Sequence, residues 1–258
     1  MKITVITVAY NSAATILDTI SAVGRQRHAD IEHIIIDGGS NDGTQGLIRK
    51  HGTHVAKFIS EPDRGIYDAM NKGLAMATGD FVGFLNADDV LASEHVLDWI
   101  AEAAQGPAAA DIIYGDLVYV QQNDLSRILR YWRSGPYSRR ALRLGWMPPH
   151  PTLYLRRSLL ASIGYFDVGY KIAADYEFIL RCFNRKDVSI IYINRVMVRM
   201  RTGGASNKSL RAIARKSRED LLALERTGTG GWFTLFCKNA RKIPQFFSKP
   251  PLRQVEGP

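Results

Sequence analysis

The chain lacks the features that define several large classes of protein. Its 258 residues include two cysteines, Cys182 and Cys237, without metal-ligand spacing, so neither a disulfide framework nor a zinc finger is indicated. No stretch approaches the run of about 18 apolar residues that a membrane-spanning helix needs. The start, MKITVITVAYNS, lacks the apolar core and cleavage site of a secretion signal and predicts a first strand. We therefore expect a globular protein of the reducing cytoplasm.

Common phosphate-binding and nucleic-acid-binding signatures are also missing. The segment IIIDGGSNDGT follows a predicted strand, but Gly38, Gly39 and Gly43 do not form G-x-G-x-x-G, and no G-x-x-x-x-G-K-[ST] occurs. Zinc-finger spacing, aromatic RNA-binding signatures and a helix-turn-helix pattern are absent too. The sequence therefore argues against a dinucleotide-binding domain, a P-loop protein and a nucleic-acid-binding protein.

The chain does have a strongly uneven charge. Residues 1–120 hold 8 Lys and Arg against 16 Asp and Glu, a net charge of −8, whereas residues 121–258 hold 26 against 9, a net charge of +17. From residue 195 to the end the net charge is +10. An acidic half can hold a metal ion, and a basic half suits phosphates or anionic lipid.

The first 120 residues alternate between strand and helix patterns. Segment 3–10, ITVITVAY, is continuously apolar and β-branched, as in a strand covered on both faces, and segment 12–26 carries a helical apolar stripe with Ser12 as its predicted N-cap. Further strands are predicted at 32–40, 53–61, 80–86 and 111–120, and further helices at 65–77 and 94–104. This alternation predicts an α/β fold with a mainly parallel central sheet flanked by helices.

Polar residues follow four of these strands, and three of the four exits carry acids. The exits are 9–11, 37–40, 61–63 and 86–89. Because ligands of parallel sheets bind beyond the carboxyl ends of the strands, we expect these residues to line an acidic cleft. Asp88 and Asp89 fit either a turn with a helix cap or a divalent-cation site. Asp37 fits either an Asx-turn or a ligand to a base N–H or ribose hydroxyl.

Six motifs follow one another along the chain: TVAYN (7–11), IDGGSNDGT (36–44), EPDRGIYDAMNKG (61–73), FLNADD (84–89), PHPTLY (149–154) and ADYEF (174–178). Together, in this order, they resemble the family 2 glycosyltransferases of the GT-A fold, in the branch that builds bacterial polysaccharides. The resemblance spans roughly residues 2–200. It implies a nucleotide-sugar-binding half over 1–120, an acceptor-binding half of the same domain over 121–202, and a basic helical extension over 203–258.

The resemblance also implies where the nucleoside-diphosphate sugar, a UDP- or GDP-sugar, would bind. The residues expected to contact it are Thr7, Ala9, Tyr10, Asn11, Asp37, Gly38, Ser40, Asp63, Asn71, Lys72, Asn86, Ala87 and His150. Asp88 would bind the Mn²⁺ or Mg²⁺ that bridges the diphosphate. The first acid of the family's D-x-D motif is replaced by the uncharged Asn86. Asp89 either supplies part of the missing charge or caps a helix near Ser93.

The second half carries the predicted acceptor chemistry. Segment 174–182, ADYEFILRC, predicts a helix with Asp175 in its first turn, where an acid is favoured by the helix dipole alone. The resemblance implies that Asp175 is the general base that deprotonates the acceptor hydroxyl. Glu177 is expected to be supporting or structural. His150 is either a packed loop histidine or a site residue.

The basic extension admits two interpretations. Segment 209–228 predicts an amphipathic helix, and segment 231–250 mixes Trp and Phe with Lys and Arg. It therefore suits the interface of an anionic membrane, or else it packs its apolar face on the catalytic domain. The last residues, 250–258, are predicted to be disordered.

These observations lead us to expect an inverting glycosyltransferase that acts on a glycan or lipid-linked glycan, in the cytoplasm and peripherally on the inner face of the membrane. A sugar nucleotidyltransferase is one alternative, but TVAYNSAAT lacks the Gly-rich, basic opening loop typical of that class. A non-catalytic lipid- or glycan-binding module is another. The presence of Asp37, Asp88 and Asp175 argues against it.

Overall fold

A nine-stranded sheet forms the centre of the protein in a computed structural model that describes residues 1–107, 109–203, 210–246 and 250. The strands are β1 (Ile3–Ala9), β2 (Ile31–Asp37), β3 (Val55–Ser60), β4 (Phe81–Phe84), β5 (Val90–Leu91), β6 (Ile112–Gln121), β7 (Asp124–Trp132), β8 (Tyr154–Arg156) and β9 (Ile190–Arg201). They lie in the order β3-β2-β1-β4-β8-β6-β9-β5, and β7 pairs with β6.

Helices cover the sheet and continue into the extension. They are α1 (Ile16–Gly24), α2 (Thr44–His51), α3 (Ile66–Met76), α4 (Val96–Gln105), α5 (Arg139–Arg143), α6 (Leu160–Ile163), α7 (Ala174–Phe183), α8 (Leu210–Arg226) and α9 (Trp232–Ala240). Short 3₁₀ turns occupy His150–Thr152, Arg157–Leu159 and Pro244–Phe246. Among the described residues, no helix combines the length and apolar character that crossing a bilayer requires.

The predicted α/β fold is confirmed, and its sheet has two parts. Strands β3, β2, β1 and β4 are all parallel, as predicted. Beyond β4 the pairing is mixed, because β8 runs antiparallel to both β4 and β6, while β9 is parallel to β6. The parallel part brings the carboxyl ends of its strands to one edge.

The predicted N-terminus of the first helix is wrong. Helix α1 begins at Ile16 rather than at residue 12, and its N-cap position is Thr15. Ser12 instead forms a preceding turn in which its carbonyl accepts hydrogen bonds from the amides of Thr15 and Ile16. The Ser12 amide donates to the Thr44 hydroxyl at 2.8 Å, which ties this turn to the neighbouring strand exit.

The apolar core lies on both faces of the sheet. On one face Ile6, Tyr114 and Phe178 are buried together with residues of α3 and α7, and on the other face Phe81 and Ile100 pack between the sheet and α4. Each such fully buried side chain contributes about 1.5–3 kcal/mol to folding. The buried layers hold the strand ends in fixed positions.

The extension packs against this core through α8 and α9. Ala223, Leu224 and Leu235 are buried in the same cluster as α7. A buried ion pair joins the two helices, with Lys238 Nζ 2.7 Å from Asp220 Oδ1. The packing interpretation of the extension is therefore confirmed for this face. Phe247, Lys249 and the predicted disorder of 251–258 lie outside the described residues.

Candidate active site

The four polar strand exits meet at one edge of the sheet, as predicted. The Gly38 amide donates to the Ala9 carbonyl at 2.9 Å, and the Glu61 amide donates to the Asp37 carbonyl at 3.0 Å. The Ala87 amide donates to the Val8 carbonyl at 3.3 Å. These bonds join the loops after β1, β2, β3 and β4 into one continuous cleft floor.

The Asp37 side chain holds the loop after β2, which is part of this floor, through hydrogen bonds. Its carboxylate is fully buried and accepts hydrogen bonds from the amides of Gly39 (3.1 Å) and Ser40 (2.9 Å) and from the Ser60 hydroxyl (2.6 Å). The Ser40 hydroxyl donates to its other oxygen. This is the Asx-turn interpretation of Asp37, with Gly39 at a φ of 83° that favours glycine. A direct contact of Asp37 with a nucleotide stays a prediction.

The surface above Gly38 is formed by Asp63 and Tyr10. A Cβ added to Gly38 would lie 2.4 Å from Asp63 Oδ2 and 3.4 Å from Tyr10 Cδ2. The missing side chain therefore makes room for the Asp63 carboxylate, whose other oxygen accepts from the Gly65 amide at 2.8 Å. The Tyr10 ring is 66% exposed, which leaves its face free for a planar ligand. An aromatic face beside an acceptor suits a nucleobase with an N–H.

Asn11 holds the loop after β1 in an unusual backbone conformation. Its φ is 48°, in the left-handed region that Asn tolerates better than most residues. The Asn11 amide donates to Ser40 Oγ at 2.7 Å, and its side-chain oxygen accepts from the Asn41 amide at 3.1 Å. These contacts hold Asn11 and Ser40 at the cleft by binding them to each other, and their predicted contact with a nucleotide sugar stays a prediction.

The two acids in the segment after β4, Asp88 and Asp89, lie in different environments. Asp89 is fully buried, and its oxygens accept from the Arg201 amide (3.1 Å) and from Asn86 Nδ2 (3.1 Å). Burial, reinforced by the charge of Asp88, raises the pKa of Asp89 well above its ordinary value. The helix-cap alternative for Asp89 is wrong, because α4 begins at Val96 after His95 and receives nothing from Asp89.

Arg201 is a site residue that the sequence analysis missed. From the end of β9 its guanidinium donates to the Asp88 carbonyl at 2.7 Å and to Asp18 Oδ2 at 2.5 Å. It is 7% exposed and anchors the 86–89 loop through these bonds and through its own amide. The sequence offered only a weak signal, since Arg201 is one of three arginines in NRVMVRMR.

Asp88 is the carboxylate that fits a divalent cation. It is half-buried, and among the described residues no donor from another residue binds its carboxylate. Burial raises the pKa of Asp88, which Arg201 partly opposes. The described residues contain no group of three or more His, Cys, Asp or Glu that could enclose a metal. A single carboxylate nevertheless suits Mg²⁺ or Mn²⁺ when a bound diphosphate supplies further oxygens.

Asp175 lies at the start of α7, where the chain was predicted to place a general base. The Tyr67 hydroxyl of α3 donates to the Ile172 carbonyl at 2.6 Å and lies 3.3 Å from Asp175 Oδ1. Burial raises the pKa of Tyr67, and the charge of Asp175 adds to this effect. Asp63 lies just before α3, and Tyr67 lies in the first turn of α3. The start of this helix therefore lies between Asp63 and Asp175.

His150 lies behind this region in an aromatic environment. Its ring centroid is 5.3 Å from that of Phe84 and 5.6 Å from that of Phe166, and the residue is 7% exposed. Burial lowers the pKa of His150, partly opposed by Asp175, so the ring is neutral at pH 7. Its Nε2 has no hydrogen-bond partner among the described residues. A buried unpartnered nitrogen is unusual, and it favours the site interpretation over simple packing.

Two carboxylates near Asp175 have structural roles. Glu177 forms a two-pronged bond to Arg181, with oxygen–nitrogen distances of 2.7 and 2.8 Å, which agrees with the supporting role expected for it. Glu219 of α8 accepts from the amides of Lys171 (3.1 Å), Ile172 (2.8 Å) and Ala173 (3.0 Å). Glu219 thereby satisfies amide donors at the N-terminus of α7, beside Asp175.

Three residues that were predicted to contact the sugar donor are either buried away from the cleft floor or bonded to other parts of the protein. Thr7 is fully buried inside the sheet, and its hydroxyl bonds His33 Nε2 at 3.0 Å, so its side chain does not reach the strand ends. The Asn71 side-chain amide donates to the Phe166 carbonyl and accepts from the Phe166 amide, each at 2.9 Å. Lys72 pairs with Glu61 at 2.8 Å. The physical reason is the same in each case: these side chains connect elements of the fold.

The fold, a mixed sheet whose parallel part ends at a polar cleft, is of the GT-A type. The profile of glycosyl transferase family 2 matches residues 4–163. The chain belongs to this family.

Similar proteins occur in mycobacteria. A PGL/p-HBAD biosynthesis glycosyltransferase of Mycobacterium bovis (strain BCG / Pasteur 1173P2) is 29% identical over 208 residues, which cover 76% of each chain. An uncharacterized glycosyltransferase of Mycobacterium tuberculosis (strain ATCC 25618 / H37Rv) is 36% identical over 181 residues, covering 69% of this chain and 68% of that protein.

Solved structures share the fold at lower identity. Staphylococcus aureus TarS 1–349 in complex with UDP-GlcNAc superimposes with a TM-score of 0.66 at 20% identity, covering 88% of this chain and 65% of that one. The Pyrobaculum calidifontis mannosyltransferase PcManGT, in complex with GDP-Man and Mn²⁺, gives a TM-score of 0.65 at 17% identity, covering 95% and 73%. At these identities the likeness establishes the GT-A fold.

Proposed function

We propose that the protein is an inverting, metal-dependent glycosyltransferase that moves a sugar from a UDP- or GDP-sugar to a hydroxyl of a glycan or lipid-linked glycan. The observation that carries the proposal is the position of α3. The loop that leads into α3 places Asp63 beside Gly38, on the proposed nucleotide side. Tyr67, in the first turn of α3, contacts Asp175 on the proposed acceptor side. Donor and base would thus be positioned by one helix.

The chemistry assigned to these residues is a single displacement. Asp175 accepts the proton of the acceptor hydroxyl as that oxygen forms a bond to the anomeric carbon, and the bond from that carbon to the diphosphate breaks. No covalent intermediate with the protein is needed, so the anomeric configuration inverts. A divalent cation held by Asp88 would neutralise charge on the departing diphosphate. Tyr10, Asp63 and the backbone of 38–40 would bind the base and ribose.

The donor classes are supported by the solved relatives, since TarS was crystallised with UDP-GlcNAc and PcManGT with GDP-Man and Mn²⁺. A lipid-linked acceptor is supported by the extension. Trp232, Phe233 and Phe236 on α9 are 72%, 68% and 70% exposed, on the helix face opposite the buried Leu235. Exposed aromatics in a segment of net positive charge suit the inner surface of an anionic membrane.

A thermal-shift series with UDP-, GDP- and dTDP-sugars in the presence of Mn²⁺ tests the donor. A ligand at 100 times its dissociation constant stabilises the folded state by about 2.7 kcal/mol. Analysis of the products on an added glycan acceptor then separates the three candidate functions. A glycosyltransferase releases nucleoside diphosphate, a sugar nucleotidyltransferase exchanges pyrophosphate, and a binding module releases neither. Failure of every nucleotide sugar to stabilise the fold would contradict the proposal.

A further inference from the structure

A basic cavity lies between the extension and the acceptor-binding half, outside the cleft described above. Its volume is about 260 Å³, below the usual lower bound of about 300 Å³ for small-molecule pockets. The walls come from the end of β7, the loop at 145–147 and the segment that follows α9. The cavity is therefore too small for a nucleotide sugar and large enough for a compact polar group.

The charge around this cavity is positive and largely unpaired. Arg133, Lys238, Arg241 and Lys242 line it, and none of its described lining residues is acidic. Lys238 is satisfied by the buried Asp220 at 2.7 Å. The other three cations form no ion pair with any described carboxylate. Arg241 donates its Nε to the Leu144 carbonyl at 2.9 Å, and Lys242 donates to Asn239 at 2.9 Å.

Several like charges lie close together here, and the buried Asp220 compensates them only in part. Lys242 is half-buried, and its pKa is lowered by burial and by the neighbouring cation Lys216, an effect that the charge of Asp220 partly opposes. The nearby carboxylate Asp116 is buried and accepts hydrogen bonds from Tyr131, Ser134 and Tyr192; it attracts Arg133, but the two form no ion pair in the described part of the chain. An anion placed in the cavity would relieve the repulsion among the cations. Guanidinium and ammonium groups together favour a phosphate.

Exposed apolar residues beside the cavity indicate the source of that phosphate. Ile243 and Phe246 lie in the same short segment as the lining residues Lys242, Pro244 and Gln245. Both Ile243 and Phe246 are 62% exposed. Phe246 is also covered on one side by the Arg130 guanidinium, 5.0 Å from its ring centroid. A phosphate pocket flanked by exposed apolar side chains matches the two parts of a lipid, the head group and the acyl region.

We propose that this cavity binds the phosphate of an anionic lipid head group. The proposal deepens the membrane contact suggested for the extension, but it does not depend on glycosyl transfer. It assigns head-group recognition to a defined site, which includes Arg133, Arg241 and Lys242, rather than to the diffuse charge of the extension.

The test compares two double variants of equal charge. Arg133→Gln/Lys242→Gln removes two cavity cations, whereas Arg215→Gln/Arg218→Gln removes two exposed cations of α8 that do not line the cavity. Binding is measured by flotation with vesicles of phosphatidylglycerol in phosphatidylcholine and with phosphatidylcholine alone. Near an anionic surface each cation contributes about fivefold to binding, so we expect about thirtyfold weaker binding for the cavity variant. The α8 variant should weaken binding less than about threefold, because its two cations lie outside the proposed site and the attraction falls off within a Debye length of the surface.

Three outcomes would overturn the proposal. Equal losses in both variants would show diffuse attraction instead of a site. Unchanged binding by the cavity variant would remove the cavity from membrane recognition. A parallel titration with inorganic pyrophosphate distinguishes the source: if the cavity variant loses pyrophosphate binding but keeps vesicle binding, the ligand is a soluble phosphate and not a lipid. Nucleotide-sugar binding, measured by thermal shift in the same variants, should stay unchanged, so failure here is distinct from failure of the transferase assignment.

Discussion

At the scale of single residues, the cleft separates carboxylates that hold the fold from carboxylates that are free to act. Asp37 and Asp89 are fully buried and saturated with protein donors. Asp88 and Asp175 are partly exposed and have few partners. All four look alike in the sequence, since each follows or begins a predicted element. Burial and hydrogen bonding therefore decide which of them can meet a ligand.

We predict that Asp175→Asn lowers turnover by about 10²–10⁴-fold, the usual contribution of a positioned proton acceptor. Donor affinity should barely change, because the base is assigned to the acceptor and not to the nucleotide. Steady-state kinetics and donor titration measure the two quantities. Glu177→Gln is the matched control. It should have the milder effect on turnover, since Glu177 is bound to Arg181. A dead Glu177→Gln enzyme beside an active Asp175→Asn enzyme would reassign the base.

For Asp88 we predict that a chelator abolishes transfer and that Mn²⁺ or Mg²⁺ restores it. Asp88→Asn should lose the metal-dependent part of nucleotide-sugar binding while its melting temperature without ligand stays the same. The reason is that no described donor depends on this carboxylate. Calorimetric titration of the donor with and without metal measures the effect. Full activity in chelator would refute the metal assignment.

Glu32, at the opposite end of β2 from the cleft, makes the stability of the fold depend on pH in the acid range. Burial acts to raise its pKa, but hydrogen bonds from Thr78 and Thr4 and the charge of Lys2 lower the pKa of Glu32 to about 2. A lowered acid pKa stabilises the fold above the ordinary value of 4.5, and this stabilisation is lost as the pH falls from 4.5 towards 2.

We therefore expect Glu32→Gln to lower the free energy of unfolding by about 3 kcal/mol near neutral pH and by about 1.4 kcal/mol near pH 3. Urea denaturation at the two pH values measures the difference. Glu102→Gln, at an exposed position on α4, is the control and should change neither value. An equal loss for Glu32→Gln at both pH values would show that shape, not charge, is what this position needs.

At the scale of elements, α8 is joined to the start of α7. Glu219 accepts hydrogen bonds from three amides that precede α7, and Tyr67 of α3 donates to the Ile172 carbonyl in the same segment. The start of α7, and with it Asp175, is thus held from two sides. The extension therefore packs as an integral part of the fold.

Glu219→Ala should destabilise the fold by about 1–2 kcal/mol, the usual cost of losing a helix cap. It should also lower turnover more than it changes the donor KM, because the segment 171–173 carries Asp175. Glu219→Gln keeps an acceptor oxygen and should recover part of both losses. Glu225→Ala, at an exposed position of α8, is the control. If Glu219→Ala loses stability but keeps full turnover, the cap is structural only.

The parallel strands were predictable from the sequence because each is rich in apolar residues and ends at a polar exit, and β6 was predicted as a strand at 111–120. The other strands of the mixed part were not predicted. In strand β7 exposed and half-buried residues predominate, and two of its nine residues are Arg. In β9 arginines interrupt the pattern and the buried run is short, Val196–Val198, so neither strand was identified. Helix α2 was missed because its sequence, TQGLIRKH, buries only Thr44 and Ile48. The same limit explains Arg201, whose contact with the Asp88 carbonyl depends on the pairing of β9 with β5 and β6.

At the scale of the whole molecule, opposite charges are separated along one chain. The acidic half forms the cleft that would take a cation and a diphosphate, and the basic half presents the extension. Helix α9 has one buried and one exposed face. Leu235 and Lys238 anchor the buried face, and Trp232, Phe233 and Phe236 lie on the exposed face. A surface of this kind on a packed helix would hold the cleft at a fixed height above a membrane.

Removal of the extension is a poor test of this arrangement. A chain that ends near Thr229 would lose Leu235 from the core and leave Asp220 buried without Lys238. Breaking a buried ion pair in this way costs about 3–5 kcal/mol. Loss of membrane binding by such a chain would therefore be confused with loss of folding.

Substitution of the exposed face avoids this problem. We predict that Trp232→Ser/Phe233→Ser/Phe236→Ser keeps the melting temperature and the activity on a soluble, short acceptor, because all three side chains are about 70% exposed. Binding to anionic vesicles should fall by at least about 100-fold, since burying each aromatic side chain contributes about 1.5–3 kcal/mol. Tyr165→Ser/Val168→Ser, which removes exposed apolar side chains elsewhere on the surface, is the control and should bind normally. Vesicle co-sedimentation at two salt concentrations measures the binding. If the triple variant binds as the wild type does, α9 is only a packing element, and the membrane contact must lie on another surface.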